Sequence, residues 1–354
     1  MKATLRDIAE AASVSVSTAS RALSGHPAIS EACVGRVREV AQHLNYSRRE
    51  RRRTPTPDRV LEGKTVAIVS LGMHRSLLAL PAVSNSINGA EEDLALSGAR
   101  VMLAHFPDLE GDARALLEDD LAGVILASTS VGEMIGTCRN PLLTRLRQLP
   151  AVWMHARPSG CWGNMVGSND YLAGQRAAEY LIARGHRRLA FLNPKPEHVV
   201  FQRREDGFVS RARRLGAEVR SFCEAPPEGW PLPDRSSLGT RAVDVLVAQL
   251  LEVKPRPTAV LAAADSLAVA VYRALADRGL TVGKDLSVIS VNNDEPLTAG
   301  LYPSLTTFDV HAGQIGQMAV RQLVQEIAQP TCCTESELLL APTLVERESV
   351  ARLS

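Results

Sequence analysis

Residues 4–25 read TLRDIAEAASVSVSTASRALSG, and this stretch decides the fold of the amino-terminal part of the chain. Thr4 and Ser15 are residue types that cap the start of a helix, and Gly25 is the type that ends one. Small side chains give the two short helices a surface on which they can cross closely, namely Ala9, Ala12, Ala19 and Ala22. The pattern predicts a helix-turn-helix motif.

The second helix of such a motif lies in the major groove of DNA, with its first residues at the base edges. We therefore expect Val16, Ser17 and Arg21 to read bases, because arginine suits guanine and valine suits the methyl group of thymine. Short hydroxyl side chains suit contacts to the DNA backbone, and the candidates are Thr4, Ser15, Thr18 and Ser20. The alternative interpretation is a small helical packing module with solvated serines and threonines.

The formal net charge of the 354 residues is only +1, which by itself argues against a nucleic-acid partner. The charge is unevenly distributed, however. Residues 1–59 contain 11 Lys and Arg against 6 Asp and Glu, whereas the remaining residues contain 29 against 33. A basic head is thus joined to a mildly acidic body, and this distribution favours DNA binding by the head.

From residue 65 onward, short apolar runs typical of buried parallel strands alternate with stretches of helical periodicity. The predicted strands are Thr65–Ser70, Arg100–Ala104, Gly123–Ala127, Ala151–Met154, Leu189–Leu192, Glu218–Phe222, Ala259–Ala263 and Ser287–Val291. The predicted helices include Asp170–Arg184, Ser237–Leu251 and Asp265–Arg278, with helix-ending glycines at Gly185 and Gly279. At least eight strands are many for one open sheet, so the strand count favours two α/β lobes.

Other classes of protein find little support in the sequence. The six cysteines lack the spacing of a metal site or a disulfide framework, so we expect a reducing cytoplasm, no metal and no cofactor. The amino terminus turns polar before an apolar segment can form, and no apolar run reaches the about 20 residues of a membrane helix. A Rossmann-like enzyme would carry a phosphate-binding glycine motif or a nucleophile elbow, and neither occurs, so no catalytic residue is expected.

Ordered motifs along nearly the whole chain resemble the LacI/GalR family of transcriptional regulators. They include Thr4-Leu5-Arg6-Asp7-Ile8-Ala9, Leu44-Asn45-Tyr46, Gly185-His186-Arg187-Arg188, Arg204-x-x-Gly207-Phe208, Ala264-Asp265-x-x-Ala268 and Leu344-Val345-x-Arg347-Glu348-Ser349. The resemblance implies an all-α helix-turn-helix head and a two-lobe α/β core like that of periplasmic sugar-binding proteins. Each lobe would be a parallel-sheet, Rossmann-like subdomain, which supports the interpretation that the strand count left open.

The resemblance also implies a division into a head at 1–46, a hinge at 47–63 and a core at 64–354. Lobe 1 would comprise about 64–165 and 294–327, and lobe 2 about 166–293 and 328–354. The expected protein is a cytoplasmic homodimer, a repressor that binds a pseudo-palindromic operator of double-stranded DNA on the nucleoid. A sugar-like effector between the lobes would change its affinity for DNA. A sugar-binding receptor without a transcriptional role is the alternative, although it would need a signal peptide.

The hinge departs from the family, whose members usually continue after the tyrosine with a helix that forms on DNA. Here five arginines follow Tyr46, at Arg48, Arg49, Arg51, Arg52 and Arg53. One interpretation keeps Leu61 as a wedge in the minor groove, on a short helix over 57–63. Another makes the arginines a flexible arm on phosphates or in a narrow groove, and a third makes them a solvated linker. We favour the arm, because five arginines beside DNA would otherwise repel one another.

The effector site departs as well, since His155, Asp265 and Asn292 stand where sugar-binding relatives commonly carry more carboxylate or amide groups. Arg204, which in relatives fixes a ligand hydroxyl, remains. A cationic pocket with fewer carboxylates favours an anionic ligand, so we predict an acidic or phosphorylated sugar-like effector. The alternative is a structural bridge between Arg204 and Asp265 in a pocket that binds little. Further candidates for effector contacts are Ser70, His74 and Trp230.

Overall fold

The computed structural model describes residues 5–23, 29–44, 60–109, 116, 120–128, 141–224, 232–235, 241–330 and 335–353. The chain divides after Thr54 into two compact units. Within the described residues, no helix is both long and apolar enough to cross a membrane.

The first unit contains three helices, α1 (Leu5–Ala11), α2 (Val16–Leu23) and α3 (Glu31–His43). The tight turn between α1 and α2 places Ser13 in the left-handed region at a φ of 52°. The predicted alanine surface is confirmed, because its four side chains are at most 8% exposed and pack with Ile8 and Val37. Alanines at these positions allow three short helices to share a small apolar core.

The first sheet of the second unit has six strands, all paired in parallel. They are β1 (Thr65–Leu71), β2 (Arg100–Phe106), β3 (Leu121–Ser128), β4 (Ala151–Met154), β5 (Asn164–Ser168) and β11 (Glu337–Leu340). Their order across the sheet is β11-β5-β4-β3-β1-β2. β1, β3, β4 and β5 are buried almost throughout, as their continuous apolar runs predict.

The second sheet also has six strands, in the order β12-β10-β9-β8-β6-β7. They are β6 (Arg188–Asn193), β7 (Glu218–Cys223), β8 (Ala259–Ala262), β9 (Ser287–Asn292), β10 (Thr306–Asp309) and β12 (Thr343–Val345). All pairs are parallel except β10 with β12. The two sheets confirm the predicted two-lobe α/β core.

Helices cover the two sheets. The first lobe carries α4 (Arg75–Leu78), α5 (Pro81–Leu96), α6 (Pro141–Leu146) and α12 (Ala312–Ala328). The second carries α7 (Asp170–Ala183), α8 (Val199–Arg214), α9 (Arg241–Glu252), α10 (Asp265–Ala276) and α11 (Glu295–Thr298). The predicted helix-ending glycines are confirmed, since Gly185 and Gly279 have φ of 91° and 69°.

The predicted lobe boundaries need two corrections. β10 falls in the segment 294–327 assigned to lobe 1, yet it pairs with β9 in the second sheet. β11 falls in the segment 328–354 assigned to lobe 2, yet it pairs with β5 in the first sheet. Among the described strands, the chain therefore changes sheets three times, after Ser168, after Asp309 and after Leu340.

One helix pair in each lobe packs at backbone contact distance through glycine. α5 packs on α12 in the first lobe, where a Cβ at Gly316 would lie 2.0 Å from the carbonyl oxygen of Ser86. α7 packs on α8 in the second lobe, where a Cβ at Gly207 would lie 2.0 Å from the carbonyl oxygen of Tyr171. Real side chains cannot occupy such positions, so both pairs depend on glycine.

Candidate functional site

The start of α2 is the candidate DNA-reading surface of the head. Ser15 precedes the helix, and its Oγ accepts a hydrogen bond from the backbone N–H of Thr18 at 3.1 Å, as an N-cap does. Val16, the first helical residue, leaves 45% of its surface exposed although it is apolar. An exposed valine at a capped helix start is placed as a base-contacting residue would be.

Most of the other predicted DNA contacts lie partly or wholly outside the described residues. Ser17, Ser20 and Arg21 lie on α2, but their side chains are outside the description. Thr4, Gly25 and the arginines at 48–53 lie outside the described residues altogether. The roles assigned to them from the sequence stay predictions.

In this structure Leu61 does not lie on a surface helix, where the sequence predicted a minor-groove wedge. Its side chain is completely buried in the core of the first lobe, beside Val60, Val66 and Leu94. The described residues around it, 60–63, form a bend and a turn rather than a helix. A leucine held in this way is unavailable to DNA unless the lobe gives up part of its core.

A cleft between the two lobes is the candidate effector site. It encloses about 1000 Å³ of space between protein atoms, part of it open to solvent. Three of the predicted effector residues line it, namely His155, Arg204 and Asn292. They follow β4, lie on α8 and end β9, so the structure brings together residues that are far apart in sequence. A crevice at the carboxyl ends of parallel strands is where open α/β sheets bind ligands.

The Arg204 guanidinium is built into the second lobe by bonds at each of its nitrogens. Nε donates to Oδ1 of Asp170 at 2.8 Å, and Nη2 donates to Oδ1 of Asn292 at 3.0 Å. Nη1 donates to the carbonyl oxygen of Ala263 at 2.5 Å. Both members of the ion pair are at most 4% exposed. Burial raises the pKa of Asp170 and the guanidinium opposes that shift; a buried guanidinium needs a counter-charge, so the pair is ionic.

This pairing corrects two expectations from the sequence. The partner of Arg204 is Asp170 rather than Asp265, so the structural bridge exists but with a different carboxylate. The positive charge of Arg204 is also already compensated within the protein. The premise of an uncompensated cationic pocket, from which an acidic or phosphorylated effector was predicted, is therefore wrong.

Asp265 is a structural anchor of the second lobe and does not line the cleft among the described residues. It is completely buried, and its carboxylate accepts hydrogen bonds from Oγ1 of Thr307 at 2.6 Å and from the backbone N–H of Asp294 at 2.7 Å. Oγ of Ser290 is a third donor. Burial raises the pKa of Asp265 while these donors act against the shift. Its contacts join α10 to β9 and β10, which accounts for its place in the sequence motif.

His155 lies in the left-handed region at a φ of 67°, directly after β4. Its Nε2 is 2.8 Å from Oγ of Ser86 on α5, so it connects the cleft with the helix that packs on α12. Burial, and secondarily the charge of Arg204, lowers the pKa of His155 to about 4. The imidazole is neutral at physiological pH and offers hydrogen bonds without charge.

Ser70 and His74 lie near the cleft without lining it among the described residues. Oγ of Ser70 is 2.9 Å from Nδ1 of His105 on β2. Nδ1 of His74 accepts the backbone N–H of Ser76 at 3.1 Å and thereby caps α4. Trp230 lies outside the described residues.

A second buried ion pair at the cleft was not predicted. Nζ of Lys195, which follows β6, donates to Oδ1 of Asp234 at 2.6 Å, and both residues are less than 9% exposed. The backbone of Asp234 also pairs with the first lobe. Its N–H donates to the carbonyl oxygen of Gly72 at 2.8 Å, and its carbonyl oxygen accepts from the N–H of His74 at 2.7 Å. Asp234 therefore fastens the two lobes to each other at the cleft.

Sequence spacing gave little indication of these residues. Lys195 and His198 follow the carboxyl end of β6, a position that marks ligand sites in open α/β sheets. Asp234 lies in a short described segment outside any helix or strand, 39 residues from its partner. Position after a strand could have indicated Lys195, whereas nothing local indicates Asp234.

Comparison with known proteins matches both units of the chain. Residues 4–49 match bacterial regulatory proteins of the lacI family, and residues 178–350 match the periplasmic binding protein-like domain. The ribose operon repressor of Escherichia coli (strain K12) is 27% identical over 98% of this chain and 99% of its own length. The transcriptional repressor PurR of Aliivibrio fischeri (strain ATCC 700601 / ES114) is 28% identical over 92% of both.

Solved structures share the fold. The complex of the transcriptional regulator CelR with cellobiose superposes with a TM-score of 0.64 at 23% identity, covering 98% of this chain and 99% of that one. The lac repressor dimer bound to operator and an anti-inducer gives 0.64 at 22% identity, covering 99% and 100%. With both units matched in order along the sequence, the chain belongs to the LacI family of bacterial regulatory proteins.

Proposed function

We propose that this chain is a sequence-specific DNA-binding regulator of transcription, a repressor whose affinity for its operator depends on a small sugar-like effector in the cleft. The observation that carries the proposal is the combination, in one chain, of a three-helix head with an exposed start of α2 and a two-lobe core with a ligand-sized cleft. Two sites of this kind allow an effector and DNA to influence each other's binding.

A sugar-binding receptor without a transcriptional role would share the core but leaves the head unexplained. The head carries a capped helix start with an exposed apolar residue, Val16, and it is the part that matches a family of regulatory proteins. The relatives named above are repressors rather than enzymes. We assign no catalytic role to any residue of this chain.

At the operator, Val16, Ser17 and Arg21 would read base edges in the major groove. The hydroxyls of the head would hold phosphates and fix the orientation of α2, through Thr4, Ser15, Thr18 and Ser20. We further infer that the chain acts as a homodimer joined through its core, in the cytoplasm and on the nucleoid, as the dimeric lac repressor on its operator suggests. Two-fold symmetry of the dimer would match a pseudo-palindromic operator.

The arginines at 48, 49, 51, 52 and 53 would form a basic arm at the DNA backbone. Burial of Leu61 in the first lobe favours the arm or the solvated linker over the wedge. Replacing all five arginines by alanine should flatten the dependence of log K on log salt concentration, because each lost phosphate contact removes about 0.9 from the slope. An unchanged slope would show that the arginines are only a solvated linker.

The proposal is tested by selecting bound fragments from a random duplex library with the full chain and measuring their dissociation constants by fluorescence anisotropy. We expect an enriched pseudo-palindrome. Val16→Ala and Arg21→Ala should each weaken its binding by about fivefold or more, since a good base contact is worth about 1–3 kcal/mol. Lys284→Ala is the matched control. It removes an exposed positive charge from the second unit and should leave the affinity unchanged. A selection that enriches no sequence would contradict the proposal.

A further inference from the structure

The connections at which the chain changes sheets lie together at one edge of the core. Among the described strands, they follow β5 and β11, which end the first sheet, and β10, which pairs with β12 at the end of the second sheet. The opposite edges are β1 and β2 in the first sheet and β6 and β7 in the second. Connections at one edge alone allow the lobes to rotate about that edge and to separate at the other.

A short segment joins the lobes at this opposite edge. Residues 232–235, called the clasp below, lie between β7 and α9, two elements of the second lobe. Asp234 nevertheless forms its backbone hydrogen bonds with Gly72 and His74, which follow β1 in the first lobe. The side chain of Leu232 packs against the core of that same lobe. The clasp is thus bonded to the lobe to which its neighbours in sequence do not belong.

Lys195 holds the clasp from the second lobe. Its Nζ donates to Oδ1 of Asp234 at 2.6 Å and also to the carbonyl oxygen of Arg235. The lysine is itself fixed at the end of β6, because its backbone N–H donates to Oδ1 of the buried Asn193 at 2.8 Å. Removing one charge of a buried pair leaves the other charge without compensation. The attachment of the clasp to the second lobe therefore depends on this ion pair.

The clasp also closes one side of the cleft. Met73, Lys195 and Asp234 all line the cleft, and the buried Met73 forms a parallel β-bridge with Asp234. Moving the lobes apart at this edge must therefore break either the two backbone hydrogen bonds of Asp234 or its ion pair. All of these bonds form between groups of the chain itself, so the clasp needs no ligand in order to close.

We propose that residues 232–235 lock the two lobes together at the edge opposite the connections, and that the core opens only when this clasp releases. Release is then a local opening event, and the Lys195–Asp234 pair sets how often it occurs. The lock goes beyond the proposed function, because it is a property of the core and depends neither on DNA binding nor on the identity of the effector.

Hydrogen exchange of the full chain, without DNA or ligand and followed by mass spectrometry, tests the clasp. The backbone amides of His74 and Asp234 donate the two hydrogen bonds between the clasp and the first lobe. We expect each amide to exchange at least about 100-fold more slowly than in an unstructured peptide. Exchange of both amides at the rate of an unstructured peptide would overturn the proposal.

Lys195→Met removes the ion pair and keeps an unbranched side chain of similar length. We expect both amides to exchange at least about tenfold faster in this variant, because the Asp234 carboxylate is left buried without its partner. The amides of β8 should stay protected, which shows that the second lobe is still folded. Equal exchange at His74 and Asp234 in the variant and in the natural chain would contradict the lock.

Arg211→Met is the matched control for the lost ion pair. It removes a partly exposed pair of the same lobe, with Glu179, that does not involve the clasp. Exchange at His74 and Asp234 should be the same in this variant as in the natural chain. Faster exchange at both amides in the control, to the same extent as in Lys195→Met, would show that the Lys195–Asp234 pair has no special role.

His74→Pro opens the clasp from the first lobe and leaves no buried charge without a partner. It removes the N–H that donates to Asp234, and the backbone of His74, at a φ of −73°, already suits proline. The amide of Asp234 should exchange at least about fivefold faster in this variant. The result decides the proposal even if Lys195→Met does not fold, since an unchanged exchange rate of Asp234 in His74→Pro would overturn it.

Discussion

The two lobes share an architecture but contribute differently to the cleft. Each is a six-stranded sheet with a helix pair that packs through glycine. The first lobe supplies mainly aliphatic side chains and the neutral His155, whereas the second supplies both buried cations, Arg204 and Lys195. Asp170 pairs with Arg204 within the second lobe, whereas Asp234, the partner of Lys195, is bonded to the first lobe through its backbone. One ion pair therefore stabilises the second lobe and the other joins the two lobes.

The largest effect should come from breaking the buried pair of the second lobe. Arg204→Met leaves the Asp170 carboxylate buried without its partner, and we expect a loss of about 3–5 kcal/mol in the free energy of unfolding. Urea unfolding followed by circular dichroism measures it. Arg278→Met removes a partly exposed pair with Asp244 and should cost far less, because solvent screens such a pair. Equal losses in the two variants would contradict the distinction between the pairs.

Asp294 contacts both lobes, and its contribution to the free energy of unfolding of the protein should depend on pH. Burial, and secondarily the charge of Asp265, raises the pKa of Asp294 from 3.8 to about 7, although the backbone N–H of Ala82 on α5 donates to it. Between these pH values the folded protein holds a proton that the unfolded chain has lost. The contribution of Asp294 to stability therefore falls as pH rises from 4 to 7 and stays low above 7.

Asp294→Asn removes this titration while keeping an oxygen acceptor for Ala82. The variant should gain stability relative to the natural chain as pH rises from 5 to 8, on the order of 2–3 kcal/mol. Melting temperatures of both proteins across that range measure the difference. A difference that does not change with pH would show that Asp294 remains ionised throughout.

The glycine pairs test whether the lobes really share their packing. Gly207→Ala and Gly316→Ala each place a Cβ 2.0 Å from a carbonyl oxygen, so the helices must separate. We expect losses of about 1–3 kcal/mol in each lobe. Gly300→Ala is the matched control, since nothing lies within 4 Å of its Cβ position. Melting followed by fluorescence checks the three variants, and similar stabilities in all of them would refute close packing.

Much of this fold was predictable from the sequence because its central strands are continuous apolar runs. The eight predicted strands all occur, with ends that differ by at most two residues. β5 and β10–β12 were missed, since they are short and mix polar with apolar residues. The lobe boundaries were wrong for the same reason, because β10 and β11 decide which lobe each late segment joins.

The site was less predictable than the fold. Arg204 could be identified through a motif, but the compensation of its positive charge depends on Asp170, 34 residues away in sequence. Lys195 and Asp234 meet only after the second lobe has folded. A single sequence locates cations readily and their counter-charges poorly, so it predicts a cationic cleft where the structure pairs each lining cation with a carboxylate.

The most direct test of the account is the coupling between the cleft and the head. The dissociation constant for the selected operator fragment is measured by anisotropy with and without the strongest ligand of a thermal-shift screen, and with a metabolite that the screen shows not to bind. We predict that the bound ligand changes the constant at least about fivefold and that the metabolite without affinity leaves it unchanged. The same constant with and without bound ligand in the natural chain would contradict the account.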